Sequence, residues 1–210
     1  MKILIADDHA VLRKGLRLIL GEEFPDATIS EASTTPETLD LLARQRWDVL
    51  VLDIFMPGRT GLEVLHEVRR HQPDLPVLVL SSAPEDQLAM RVLKAGASGY
   101  LNKQAAPEAL VKAIHKILAG GRYVSGALAE RFAVEIARPD RAGPDALSDR
   151  EFTVLRLIVA GKSIKEIADE LSVSAKTVST YHTRIWEKLG VHCDVDLVHY
   201  AILHGLVGGE

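Results

Sequence analysis

The chain has 210 residues, 47% of them hydrophobic and 26% charged, and its 25 basic and 29 acidic side chains leave a formal net charge of −4. That length corresponds to about 1.4 domains of ordinary size, and the balance excludes a disordered chain and a globally basic nucleic-acid binder. The lone Cys193 excludes a disulfide framework or a cysteine metal cage within the chain, and the reducing cytoplasm is the compartment it suggests.

The first apolar run, KILIA, is cut off by Asp7 and Asp8. It is too short for a signal-peptide core, and no stretch approaches the roughly 18 apolar residues of a membrane span. Further runs follow at 27–32 (ATISEA), 48–53 (DVLVLD), 76–82 (PVLVLSS) and 99–103 (GYLNK). Near-continuous Val, Leu and Ile at strand length predicts strands buried on both faces. Helical spacing occupies 10–21, 36–45, 61–71, 84–96 and 107–120, with Pro36, Pro84 and Pro107 where a first helical turn accepts proline. Five strand–helix repeats predict an α/β, doubly wound parallel sheet.

After Gly120-Gly121 the rhythm changes. A helical stretch near 126–136 leads into ARPDRAGPDA (137–146), the composition of a linker. Four helical patterns follow, near 148–160, 164–171, 175–189 and 194–205. Ser148 and Glu151 have capping-box spacing, and Ser174 suits an N-cap. The expected domains are 1–121, a helical linker 122–146, and a small all-α domain 147–210.

Acidic residues close two predicted strands: Asp7 and Asp8 after the first, Asp53 after the third. In a doubly wound sheet, ligands bind outside the carboxyl ends of strands where strand order reverses. Converging carboxylates repel unless a cation intervenes, and Mg²⁺ suits carboxylates, waters and a phosphate. Ser81 closes the fourth strand and Lys103 the fifth, a hydroxyl and an ammonium suited to a phosphoryl group. A carboxylate can itself be the nucleophile. Spacing alone does not say which one.

IADDH at 5–9, LDIFMPGRTGLEVL at 52–65, LSS at 80–82 and AGASGYLNK at 95–103 together resemble the receiver domain of bacterial two-component response regulators. The resemblance implies Asp53 as phosphoacceptor and Mg²⁺ held by Asp8, Asp7, Asp53 and the Phe55 carbonyl. It further implies Ser81 as a switch hydroxyl, Lys103 on the phosphoryl oxygens, and Tyr100 as the aromatic that follows Ser81. His9 reads as a loop residue. Gln104 stands where many receivers carry proline. Phe55 and Ala83, two positions after Asp53 and Ser81, are apolar, an arrangement expected to leave attacking water poorly oriented and the aspartyl phosphate long-lived.

In LSDREFTVLRLIVAGKSIKEIADELSVSAKTVSTYHTRIWEKLGV (147–191), Ile164, Ile167, Ala168 and Leu171 make one apolar face, and Val178, Tyr181, Ile185 and Leu189 another. A short Ser172-Val173-Ser174 turn joins them. This pattern resembles the LuxR-type helix-turn-helix domain of the NarL/FixJ subfamily. The resemblance implies that Ser179, Thr180 and Thr183 face bases, with Lys176, Thr177, His182, Arg184 and Lys188 on phosphates or at the rim. The sequence TVSTY stands where many members carry TVKTH, so modest base discrimination is expected. The tail helix is a dimer contact in many relatives. His192, His199 and His204 lack the spacing of a shared ligand face, and Cys193 reads as a loop residue.

The implied function is transcription control gated by phosphorylation. A sensor histidine kinase and double-stranded promoter DNA are the expected partners, the phosphorylated form is expected to be a homodimer, and RNA polymerase is a further partner such a regulator admits. No membrane partner is expected. The rival readings are a signalling adaptor or phosphate sink without DNA binding, and a Mg²⁺-dependent phosphatase or phosphotransferase. No second acid/base group or substrate insert supports the latter. Residues 147–210 carry 7 basic and 9 acidic side chains, yet Lys176, Arg184 and Lys188 concentrate on one predicted helix beside only Glu187. So few cations predict weak monomer binding.

Overall fold

The computed structural model describes residues 1–56, 60–82, 85–126, 128–130, 146–203 and 206. Pro57, Gly58, Ala83, Pro84, His204, nearly all of the predicted 137–146 linker and much of the 126–136 helix lie outside the described residues. The chain forms two compact units, Met1–Phe132 and Ala133–Glu210.

The first unit holds five parallel strands in the order β2-β1-β3-β4-β5. They are β1 (Lys2–Ala6), β2 (Thr28–Ala32), β3 (Val49–Asp53), β4 (Val77–Ser81) and β5 (Gly99–Asn102). Between and after them run α1 (Ala10–Glu23), α2 (Thr35–Arg44), α3 (Gly61–His71), α4 (Glu85–Lys94) and α5 (Ala106–Leu118). Strands β1, β3 and β4 are buried along almost their whole length, as uninterrupted apolar runs require. The core beneath α1 and α5 joins Ile3, Ile5, Leu16, Leu20, Val51, Leu80, Leu110 and Ile114. Strand β2 departs from the expectation of double burial. It is an edge strand, and its outward Glu31 meets Arg13 and Arg17 at 3.0 and 2.9 Å. The order reverses between β1 and β3, which opens a crevice at their carboxyl ends.

Local chemistry sets the helix starts. Thr34 and Thr60 cap α2 and α3 by accepting the N–H groups of Glu37 and Glu63. Gly61 opens α3 against the end of β3. A Cβ there would lie 2.6 Å from both the Asp53 carbonyl oxygen and Ile54 Cα, so only glycine allows this approach.

The second unit is helical: α6 (Asp149–Val159), α7 (Ile164–Glu170), α8 (Ala175–Leu189) and α9 (Asp194–Leu203). Ser148–Glu151 and Ser163–Glu166 are complete capping boxes, and Ser174 accepts the Thr177 N–H. Gly190 ends α8 in the left-handed conformation at φ 66°. Phe152, Leu155, Ile167, Ala168, Val178, Ile185, Leu197 and Ala201 form the core. Ile164 departs from its predicted inward face. It sits in the exposed first turn of α7, 36% accessible. Among the described residues, no helix is long and apolar enough to cross a membrane.

Candidate functional site

The carboxyl ends of β1, β3 and β5 bring three predicted residues together. Asp7 and Asp53 are 1% exposed. The Lys103 ammonium bridges them, 2.6 Å from Asp53 Oδ2 and 2.8 Å from Asp7 Oδ2. Lys103 does not close β5, as the apolar run suggested. It begins a 3₁₀ turn, Lys103–Ala105, whose Gln104 N–H donates to Asn102 Oδ1 at 2.9 Å. Proline at 104 could not make that bond.

The pocket is electrostatically tense. Burial pushes the Asp53 carboxyl above its ordinary range, against the pull of Lys103 and the Phe55 N–H, and Asp7 adds to the rise. Burial works against the charge on Lys103, but Asp53 and Asp7 outweigh it and hold the ammonium above its usual range. The Phe55 N–H donates to Asp53 Oδ1 at 3.0 Å, which fixes the carboxylate plane. Asp8, at the rim, lies beside His9 Nδ1 at 2.7 Å. Asp7 Oδ2 and Asp8 Oδ1 are buried and accept no well-angled hydrogen bond, although Lys103 and His9 lie close to them.

Ligand atoms of Asp7, Asp8, His9 and Asp53 all fall within 4.8 Å of one another. Hard carboxylate donors with unfilled acceptor capacity fit a divalent cation such as Mg²⁺. Ser81, fully buried, ends β4, and Tyr100 is 2% exposed on β5. Tyr100 pairs in register with Val79, so it shares a sheet face with Ser81 two residues along.

Sequence reasoning missed two positioning residues and undervalued a third. Arg13 donates to the Asp7 carbonyl at 2.6 Å and to Glu31 Oε2 at 3.0 Å, clamping the acidic loop to the edge strand. The available signal was a cation in the first turns of a helix, where the dipole disfavours it without an anchor. Gly61 holds α3 against Asp53. His9, expected in a loop, is the N-cap of α1, and its ring lies 3.2 Å from Lys103 Nζ and 4.0 Å from Asp53 Oδ2.

In the second unit, α8 divides the predicted contact set. At about 100° per residue, Lys176, Ser179, Thr180, Thr183 and Arg184 lie on the side opposite buried Val178 and Ile185, and all five are exposed. Glu187 lies on the same strip. Thr177 is partly buried beside the Ser174 cap and Lys188 is turned away, its Nζ on Glu151 Oε2 at 2.6 Å. His182 is 17% exposed, paired with Asp194 of α9 at 2.5 Å and edge-on to Trp186 at 4.7 Å. These two side chains tie α8 to α6 and α9 and do not join the outward strip.

The family profile "Response regulator receiver domain" matches residues 3–115, and "Bacterial regulatory proteins, luxR family" matches 145–201. The chain is a response regulator. This regulator is 36% identical to response regulator UvrY of Escherichia coli K12, covering 100% of this chain and 97% of that one. It is also 36% identical to response regulator GacA of Pseudomonas aeruginosa, covering 99% and 98%. Among solved structures, RcsB of Salmonella enterica serovar Typhimurium bound to promoter rprA with the phosphomimetic BeF3⁻ aligns at TM-score 0.68 and 31% identity, over 95% and 98% of the chains. A further Salmonella typhimurium RcsB structure aligns at TM-score 0.74 and 29% identity, over 97% and 98%. Both matched families are regulatory. The regulator therefore joins a receiver domain to a luxR-type DNA-binding domain.

Proposed function

We propose that residues 1–121 receive a phosphoryl group from a sensor histidine kinase on Asp53, and that residues 147–210, joined by the 122–146 linker, bind promoter DNA as a dimer. The observation that carries this reading is Lys103 bridging buried Asp53 and Asp7 within 2.8 Å at the strand-order reversal.

An Asp53 oxygen attacks phosphorus, the bond to the donor breaks, and the donor's leaving group takes a proton from solvent. Mg²⁺, when held by Asp7, Asp8, Asp53 and the Phe55 carbonyl, would neutralise charge on the phosphoryl oxygens. Lys103 exchanges part of its contact with Asp53 for a phosphoryl oxygen. The Ser81 hydroxyl donates to another, and buried Tyr100 on the same sheet face repositions with it. The new charge thereby biases a pre-existing equilibrium of the β4–α4–β5 face. Apolar Phe55 beside the site keeps water poorly aligned, so self-dephosphorylation is slow.

The DNA half of the reading rests on the exposed strip of α8 and on the RcsB–promoter relatives. Phosphate contacts from so few cations leave the monomer weak, and pairing supplies the missing affinity. A regulator of this kind works in the cytoplasm, where RNA polymerase is its downstream contact.

The test is binding selection from random duplex DNA with wild type and Asp53→Ala, each with and without acetyl phosphate. A phosphodonor-dependent gain in wild type that Asp53→Ala lacks is the expected result. An equal gain in both proteins would overturn Asp53 as the acceptor, and absence of any preference for selected over random DNA would overturn the DNA-binding role.

A further inference from the structure

Three hydroxyls dominate the outward strip of α8, and each has its proton directed into the helix. Ser179 Oγ donates to the Ala175 carbonyl at 3.0 Å, Thr180 Oγ1 to the Lys176 carbonyl at 3.0 Å, and Thr183 Oγ1 to the Ser179 carbonyl at 3.2 Å. A hydroxyl has one proton and two lone pairs, so each of these residues offers the groove only acceptors. For the two threonines the same bond selects one χ1 rotamer, which holds each methyl in one direction.

Base edges in the major groove differ in what they ask for. Guanine presents two acceptors, O6 and N7, and needs a donor. Adenine presents the N6 amino group, cytosine the N4 amino group, and thymine a methyl. An A·T pair therefore satisfies both lone pairs and methyls. A G·C pair satisfies only the lone pairs and leaves its two guanine acceptors without a proton. Lys176 lies one turn before Thr180, and Arg184 directly follows Thr183, places from which long cationic side chains reach phosphates.

Resting on the DNA-binding reading above, we propose that Thr180 and Thr183, with Ser179, are the specificity-determining residues and select A·T pairs through thymine methyl and adenine amino contacts. Lys176 and Arg184 bind phosphate.

The experiment uses the full-length protein with beryllofluoride. Sites selected from random duplex DNA are resynthesised with deoxyuridine for thymidine, or with 7-deazaguanine for guanine. Each contacted thymine that loses its methyl is expected to weaken binding about fourfold, the worth of one buried methyl-sized group. That loss disappears in Thr180→Ser or Thr183→Ser and persists in Thr180→Val or Thr183→Val, which keep the methyl. The 7-deazaguanine change is less than twofold. All four substitutions are at exposed positions, and circular dichroism confirms that the domain remains folded. A tenfold loss with 7-deazaguanine, selected half-sites built on G·C pairs, or a uracil penalty unchanged in both serine variants overturns the proposal while leaving DNA binding intact. Equal binding of selected and random DNA overturns both.

Discussion

Replacing Glu151 with alanine removes two contacts at once, the capping box that starts α6 and the ion pair that ties α6 to α8. Glu151 Oε2 accepts the Ser148 N–H at 2.7 Å and the Lys188 ammonium at 2.6 Å, with the carboxylate side chain 3% exposed and Lys188 39% exposed. Loss of the capping box costs about 1 kcal/mol. A hydrogen bond to a charged group is worth about 1.5–3 kcal/mol, and Lys188 regains water, so the lower end applies. The sum is about 2–3 kcal/mol. A domain of this size has only about 3–10 kcal/mol in total, so specific DNA affinity should fall as α8 loosens. Urea denaturation followed through Trp186, in a Trp47→Phe background, measures the change. At a slope near 1 kcal/mol/M the midpoint should drop by about 2–3 M. Glu151→Gln, which keeps the capping acceptor, should cost about 1 kcal/mol. A Glu151→Ala midpoint equal to wild type, or no coupling in the Glu151/Lys188 double-mutant cycle, would refute the reasoning.

The same group sets a pH dependence. Burial raises the Glu151 carboxyl, but the bonds from Lys188 and Ser148 outweigh it and hold it below the ordinary 4.5. The stabilisation is therefore fully present above that value and lost as pH falls through the lower folded value, a loss that Glu151→Gln should not show.

Gly61→Ala should destabilise the receiver by about 1–3 kcal/mol and slow phosphorylation by acetyl phosphate at least tenfold, because the added Cβ at 2.6 Å displaces α3 from Asp53. Unchanged rates by phosphate-affinity electrophoresis would count against this close contact. Arg13→Ala should weaken Mg²⁺ binding roughly tenfold in calorimetry, since the Asp7 carbonyl and Glu31 lose their common anchor. Affinity equal to wild type would show that the loop needs no clamp. Phe55→Asn should speed loss of the phosphoryl group about tenfold by offering water a polar partner, and an unchanged decay rate would sink that idea.

Much of the receiver is legible in one dimension because its signals are local and redundant. Uninterrupted Ile, Leu and Val runs mark β1, β3 and β4, Asp7 and Asp53 fall at the ends of the first two, and Lys103 follows β5. Ser148, Glu151 and Ser174 announce helix starts through contacts only three residues long. Composition also determined that the positive charge of the second unit is confined to a few side chains.

Other features required the third dimension. Strand β2 reads like its neighbours, yet only the sheet order makes it an edge and frees Glu31 to hold Arg13. Lys188 and His182 share a helix and a polar character with Thr183. Partners 37 and 12 residues away turn them into braces, and helical periodicity carries no record of what packs against a helix. Gly61 looks like any loop glycine until the backbone of β3 is seen 2.6 Å from its missing Cβ. Chain-local patterns encode which elements form and which chemistry they carry. Convergence of side chains distant in sequence, and the choice between a cation left free on the outer strip and one paired to a neighbouring helix, depend on contacts that only packing creates.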